Sequence, residues 1–266
     1  MFNRYVNQIE ILYEGLKNRW SNEEYFGEKI LILIDWVYYA SYFFLNAFVV
    51  KFILFGENRK RNAALTYWLK RKAVEGELSN DHYEYIYTDH VGIEKKFFDG
   101  KKVLDIGCGP RGSLEWCKNA KTKIGLDPIS SKYQKIGASR HKMEYVESGS
   151  EEIPFEDGFF DAVFCVNAID HVRDIERSVE EIKRVTRKGG KLVMVTELGG
   201  EVDVRHPHSL GLEVVKMFCP EFEIEFKDCR KLDGGGINES AWRGTKVDCD
   251  TIEKGVVTVK YEKVRV

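Results

Sequence analysis

Four short apolar runs, KKVLDIG, TKIGLDP, FFDAVFCVN and KLVMVTE, follow one another between residues 101 and 197, with stretches of helical length between them. Runs that are apolar throughout belong to strands buried on both faces, and strands alternating with helices build a parallel sheet from βαβ units. KLVMVTE reads as the fifth strand. After it come two further β-like runs, FEIEFKDCRK and VVTVKYEKVR, separated by a glycine-rich loop containing LDGGGIN. That order suits a terminal antiparallel hairpin better than another βαβ unit. The expected fold is α/β, with a seven-stranded, mostly parallel sheet whose last strand is antiparallel.

The loop after the first strand lies at the carboxyl edge of such a sheet, where these folds bind ligands. In VLDIGCGPRGSLEW, residues Gly107, Gly109 and Gly112 satisfy G-x-G-x-x-G. Glycines let the backbone turn sharply and approach a ligand, and Gly112 or Ser113 is expected to open a helix whose first amides point into the cleft. The spacing suits a dinucleotide pyrophosphate and the carboxylate of S-adenosylmethionine (SAM) equally. Asp105, two residues before Gly107, is a fixed carboxylate that suits a cationic ligand such as SAM and sits badly beside a pyrophosphate. Asp127 ends the second strand 20 residues after Gly107, where a carboxylate can accept from both ribose hydroxyls. Further on, Lys188, Gly189 and Gly190 read as a turn at a helix C-terminus before the fifth strand.

VLDIGCGPRGSLEW, IGLDP, EEIPFEDGFFDAVFCVNAIDHVRD and EEIKRVTRKGGKLVMVTE, in that order, resemble the successive motifs of class I SAM-dependent methyltransferases, in particular the methyltransferase type 11 group. The resemblance covers about residues 100–200 and implies a Rossmann-like sheet. It also implies that Asp105, Gly107, Cys108 and Gly109 surround the methionine part of SAM, and that Asp127 holds the ribose with Pro128 and Ile129 beside the adenine. Asn167 would face the methionine from the fourth strand. Where relatives often carry an acidic residue near the adenine amino group, this chain has Gly149 in SGSEEIPF, so Ser150 or a backbone group is expected to take over that contact. Cys108 reads as a small loop residue and not as a nucleophile.

Methyl transfer gains most of its rate from alignment, and a base is needed chiefly when the acceptor must lose a proton. Candidate catalytic residues are Asp170 in AIDHVRD and His206 and His208 in VRHPHSL, the last two in the loop after the fifth strand. His171 reads as structural or cofactor-side. Two imidazoles near a cleft could deprotonate a hydroxyl or coordinate a metal, but His-x-His without a third ligand is only a weak metal signal, and no metal is expected.

The most unusual composition lies upstream. Residues 30–55, ILILIDWVYYASYFFLNAFVVKFILF, hold only Asp35 and Lys51 as charges and approach the roughly 20 apolar residues that cross a bilayer. A polar stripe of Asp35, Tyr39, Tyr42 and Asn46 weakens a simple spanning reading and leaves a spanning helix, an interfacial one and a buried cap open. ENRKRNAALTYWLKRK follows, and its basic cluster would face the cytoplasm or anionic headgroups, so 30–61 is a candidate membrane contact. Residues 62–98 read as helical, with Ser79 or Asn80 as a cap; His82 and His90 receive no role. The expected organisation is an N-terminal helical region over 1–98 and a SAM-binding methyltransferase domain over 99–266.

A formal net charge of −2 over 266 residues gives no basic field, which disfavours nucleic acid as a partner. Six scattered cysteines form no C-x-x-C pair and read as free thiols in a reducing compartment, and the N-terminus has no signal-peptide pattern. The whole reads as a cytoplasmic SAM-dependent methyltransferase, attached to the inner face of the membrane if 30–55 is an anchor, acting on a small, saccharide or lipid-linked acceptor. The alternatives are a non-catalytic SAM-binding module tethered to a partner or membrane, and an NAD-dependent dehydrogenase resting on the glycine spacing alone.

Overall fold

A computed structural model of the chain describes residues 59–80 and 84–265. The hydrophobic segment 30–55 and His82 lie outside the described residues. Contacts divide the chain after Glu57, so every described residue belongs to the unit 58–266, in which the lead-in to the sheet packs together with the sheet itself.

Helix α1 spans Arg59–Glu75 and stops at Gly76, whose φ of +75° continues no helix and whose N–H bonds the Lys72 carbonyl. Only short turns follow: α2 (Glu84–Tyr87) and 3-10 turns at Asp89–Val91 and Lys95–Phe98. Helicity over 62–98 is therefore broken, and because α2 begins at Glu84, neither Ser79 nor Asn80 occupies its cap position.

The strands are β1 (Lys102–Ile106), β2 (Thr122–Leu126), β3 (Glu144–Val146), β4 (Phe160–Val166), β5 (Thr186–Leu198), β6 (Phe222–Arg230), β7 (Lys246–Val247) and β8 (Gly255–Lys263). The helices among them are α3 (Ser130–Lys135), α4 (Ile175–Val185), α5 (Glu213–Lys216) and α6 (Ile237–Arg243). One sheet runs in the order β3-β2-β1-β4-β5-β8-β6-β7. β1 to β5 pair in parallel, while β8 lies antiparallel between β5 and β6. This is the mostly parallel Rossmann-like sheet with a reversed last strand, extended by β7, a two-residue edge strand. Both faces are covered. Leu104, Leu126, Val163 and Leu192 meet Val179, Ile182 and Val185 of α4 on one side. On the other, Val103, Phe164 and Val193 meet Tyr87, Phe98 and Leu114.

Three expectations are corrected. No helix follows the glycine loop: Gly112 sits at φ +70°, and residues 113–118 close i to i+3 and tighter turns instead of α-helical ones. Gly189 keeps its positive φ, but not at a helix end, because α4 stops at Val185 and Gly189 falls in a bulge inside β5, where the pairing with β4 skips between Phe160 and Ala162. Cys229 and Cys249 form a disulfide and are not free thiols. Their separation in sequence hid it; the return of the chain from β6 through α6 to β7 brings them together.

Candidate functional site

The carboxyl ends of β1, β2, β4 and β5 converge on the glycine loop. Gly107, at φ +67°, could carry no side chain, since a Cβ there would lie 2.5 Å from Ala168 Cβ just beyond β4. Asp105 is buried, takes a hydrogen bond from the Tyr87 phenol at 3.4 Å, and is pushed up to about 7 by burial first of all. Its other oxygen, Oδ1, has no hydrogen-bond partner among the described residues. Nor has Oδ1 of Asn167, the single non-glycine residue among those described with a positive φ, at +54°. Buried polar atoms are normally paired and left-handed backbone at such a residue is strained, so both features mark a site awaiting a polar ligand.

Asp127 is nearly buried and held up to about 6 by that burial, with the backbone N–H of Ile129 donating to its Oδ1 at 3.1 Å. Cys108 packs its sulfur against Gly125 of β2, and burial pushes its thiol well up, which makes it an inert loop residue. Pro128 is half-buried, and Ile129 is buried with Tyr133, beside which Leu65 and Trp68 of α1 pack. Ser150 turns its hydroxyl to Ser178 of α4 at 2.9 Å. Near Gly149 stands a carboxylate of different origin: Glu151 Oε2 lies 2.5 Å from where a Cβ on Gly149 would be.

Helix α1 reaches over this loop. A Cβ on Gly109, at φ +58°, would lie 2.9 Å from the Trp68 ring, which also meets the Tyr133 ring edge-on at a centroid distance of 6.5 Å. Arg111 stacks on Trp68 at 5.4 Å and makes a two-pronged pair with Glu75 at 2.9 and 2.7 Å, tying the end of α1 to the loop.

Just past β4, Asp170, His171 and His206 come together, with ligating atoms all within 4.8 Å of one another. Asp170 is buried, its pKa raised by burial first of all, and its Oδ1 has no hydrogen-bond partner among the described residues. His171 is held down to about 3, chiefly by burial, and so is neutral near pH 7. His208 does not join them: its Nε2 bonds the Val172 carbonyl at 3.0 Å. The two imidazoles of His-x-His thus part company, and His206 pairs instead with His171, ring centroids 4.3 Å apart. Sequence reasoning missed Trp68, Tyr133, Tyr87 and Asp203. Only Asp203 carried a signal, its place three residues before His206.

The residues present fit SAM. The two unpaired oxygens of Asp105 and Asn167 suit an ammonium group, the glycines leave the backbone bare, and Asp127 ends β2 beside them. The Methyltransferase domain family matches residues 104–194, the span of β1 through most of β5. This stretch is a class I SAM-dependent methyltransferase domain. Its cofactor is SAM. The chain is 32% identical to the chloroplastic tocopherol O-methyltransferase of Arabidopsis thaliana over 39% of its own length and 31% of that protein. It is 33% identical to a sterol 24-C-methyltransferase of Aspergillus fumigatus over 41% of its own length and 30% of that protein. The methyltransferase match therefore spans less than a third of either relative. A solved Thermotoga maritima SAM-dependent methyltransferase shares the fold at a TM-score of 0.51 and 18% identity, covering 74% of this chain and 95% of that one.

Proposed function

We propose that this protein methylates a small, apolar or lipid-linked acceptor bearing an ionisable oxygen, held at the mouth formed by Asp170, His171 and His206. The observation that carries this reading is the buried, partly unpaired carboxylate of Asp170 facing two imidazoles three residues beyond Asn167, next to the cofactor loop. When bound, SAM supplies an electrophilic methyl carbon on a sulfonium. Asp105 and Asn167 hold its ammonium end and Asp127 its ribose. His206 and Asp170 orient the acceptor oxygen and receive its proton, which helps because an alkoxide or phenolate is the better nucleophile.

The surroundings support an apolar acceptor. Val202 is 63% and Val204 41% exposed in the loop that carries His206, and Tyr67 of α1 meets Arg205 of that loop at 5.7 Å. Two relatives are named for tocopherol and sterol substrates. Membrane contact through 30–61 would bring such an acceptor close; among the described residues, no helix is long and apolar enough to cross a membrane.

The test is to incubate the full chain with methyl-labelled SAM and an extract of its source cells, then count label in organic, aqueous, protein and nucleic-acid fractions. Label in the organic phase is expected. Label confined to aqueous small molecules would end the lipid reading, and none anywhere, with S-adenosylhomocysteine binding intact, would favour a non-catalytic SAM-binding module.

A further inference from the structure

We infer that Asp170, His171 and His206 form a binding site for one divalent transition-metal ion of the zinc class, open on its remaining face to an acceptor oxygen. Two imidazoles and one carboxylate are a donor set that borderline divalent cations favour, and three protein ligands leave a position free for substrate. His171 Nε2 lies 3.9 Å and His206 Nε2 4.0 Å from Asp170 Oδ2. Ligand atoms about 2.0–2.2 Å from a tetrahedral zinc stand roughly 3.4 Å apart, so closure takes side-chain movements of roughly half an ångström at the carboxylate and up to roughly 1.4 Å for atoms as far as 4.8 Å apart.

Two observations set this cluster apart from an incidental grouping. The first is the unpartnered Oδ1 of Asp170, on a residue only 3% exposed. A buried carboxylate with an unbonded oxygen is unfavourable, and a cation seated between Oδ2 and the imidazoles would offset its charge. The second is the support behind His206. Its Nδ1 lies 3.0 Å from Asp203 Oδ1, and that same oxygen accepts the backbone N–H groups of Arg205 and His206 at 2.7 and 2.8 Å. Those bonds fix the position of the Asp203 carboxylate behind the ring. It therefore keeps the proton of His206 on Nδ1 and leaves the Nε2 lone pair directed at Asp170, an arrangement that recurs behind metal-bound histidines. His171 and His206 side chains are 32% and 21% exposed, so an ion has a route in.

Charges of both signs surround the site. Lys60, whose Nζ donates to the His171 carbonyl, and Arg205 oppose a dication; Glu151, Glu197 and Asp203 favour one. Bound there, the ion would lower the pKa of a coordinated acceptor hydroxyl, whose proton would pass to solvent, with Asp170 and His206 serving as ligands instead of as the proton acceptors described above; this catalytic part rests on the proposed acceptor, while the binding itself does not.

The experiment therefore uses no acceptor. The full chain, stripped with a chelator, is titrated with Co²⁺ while visible absorption is followed, and with Zn²⁺ against a chromophoric chelator; S-adenosylhomocysteine calorimetry on each sample checks the fold. One equivalent is expected to bind, with the absorption of a four- or five-coordinate Co²⁺. Asp170→Asn and His206→Ala should lose more than about 100-fold in affinity, Asp203→Asn about 10- to 100-fold, and His208→Ala little. The inference is overturned if no stoichiometric binding occurs while S-adenosylhomocysteine still binds, or if binding survives His206→Ala unchanged. Stoichiometric binding without methyl transfer to any acceptor would instead count against the proposed function alone.

Discussion

Asp105 is the residue on which cofactor binding should turn. Burial raises its carboxyl to about 7, so near neutrality it holds its proton part of the time while the site is unliganded. A cationic ligand favours the carboxylate, so binding releases a proton; SAM affinity should climb as pH rises from about 5 to 7 and then level off. Calorimetry in buffers of different ionisation enthalpy reads the proton directly, and Asp105→Asn should bind weakly with a much flatter pH profile. Stability runs the other way. An acid whose folded pKa lies above its unfolded one stabilises the fold fully below pH 4 and loses that contribution as pH rises through about 7. A shift of about three units corresponds to at most on the order of 4 kcal/mol, so Asp105→Asn should be the more stable unliganded protein at pH 8, as urea titrations would show. Asp105 and Asp127 were legible in sequence because charge and spacing from Gly107 suffice to place them. Trp68 and Tyr133 were not, since nothing local says that a helix some forty residues upstream folds over the loop.

Among the elements, α1 sets how the cofactor enters. Trp68 packs edge-on against Tyr133 and lies over Gly109, so α1 covers the loop that the cofactor must reach. Trp68→Ala should raise the rate of SAM association several-fold in stopped-flow fluorescence. Gly109→Ala places a methyl group 2.9 Å from the same indole at a φ of +58°, and should weaken SAM binding more than about tenfold. The double variant should recover the part due to contact and not the part due to backbone strain. The mostly parallel sheet and its reversed last strand were readable because apolar runs alternate with helical lengths up to β5 and then give way to two β-like runs around a glycine-rich loop. The loop between Ile106 and Thr122 was misread as helical because Gly112 fits both a helix start and a left-handed turn, and only its φ decides. The candidate acceptor cluster was half legible: Asp170 and His206 stood out as polar residues after strands, but which of His171 and His208 joined them depended on how the loop after β5 folds back.

At the scale of the molecule, the Cys229–Cys249 disulfide closes a loop of 20 residues around α6 and β7. Cys249→Ser should cost about 3 kcal/mol of stability, and a reductant should lower the Tm of the native protein but not of the variant. Because contacts divide after Glu57, a chain beginning at Asn58 should keep SAM binding; failure to fold would make 1–57 integral to the domain. β8 adds a consequence for biosynthesis. It fills the gap between β5 and β6, yet leaves the ribosome after both. Until Gly255–Lys263 emerges, the facing edges of β5 and β6 stay unpaired, a ready template for pairing with other nascent chains. A chain stalled or cut just before β8 should therefore be found with chaperones or in aggregates, even though every residue of its cofactor loop has already been made.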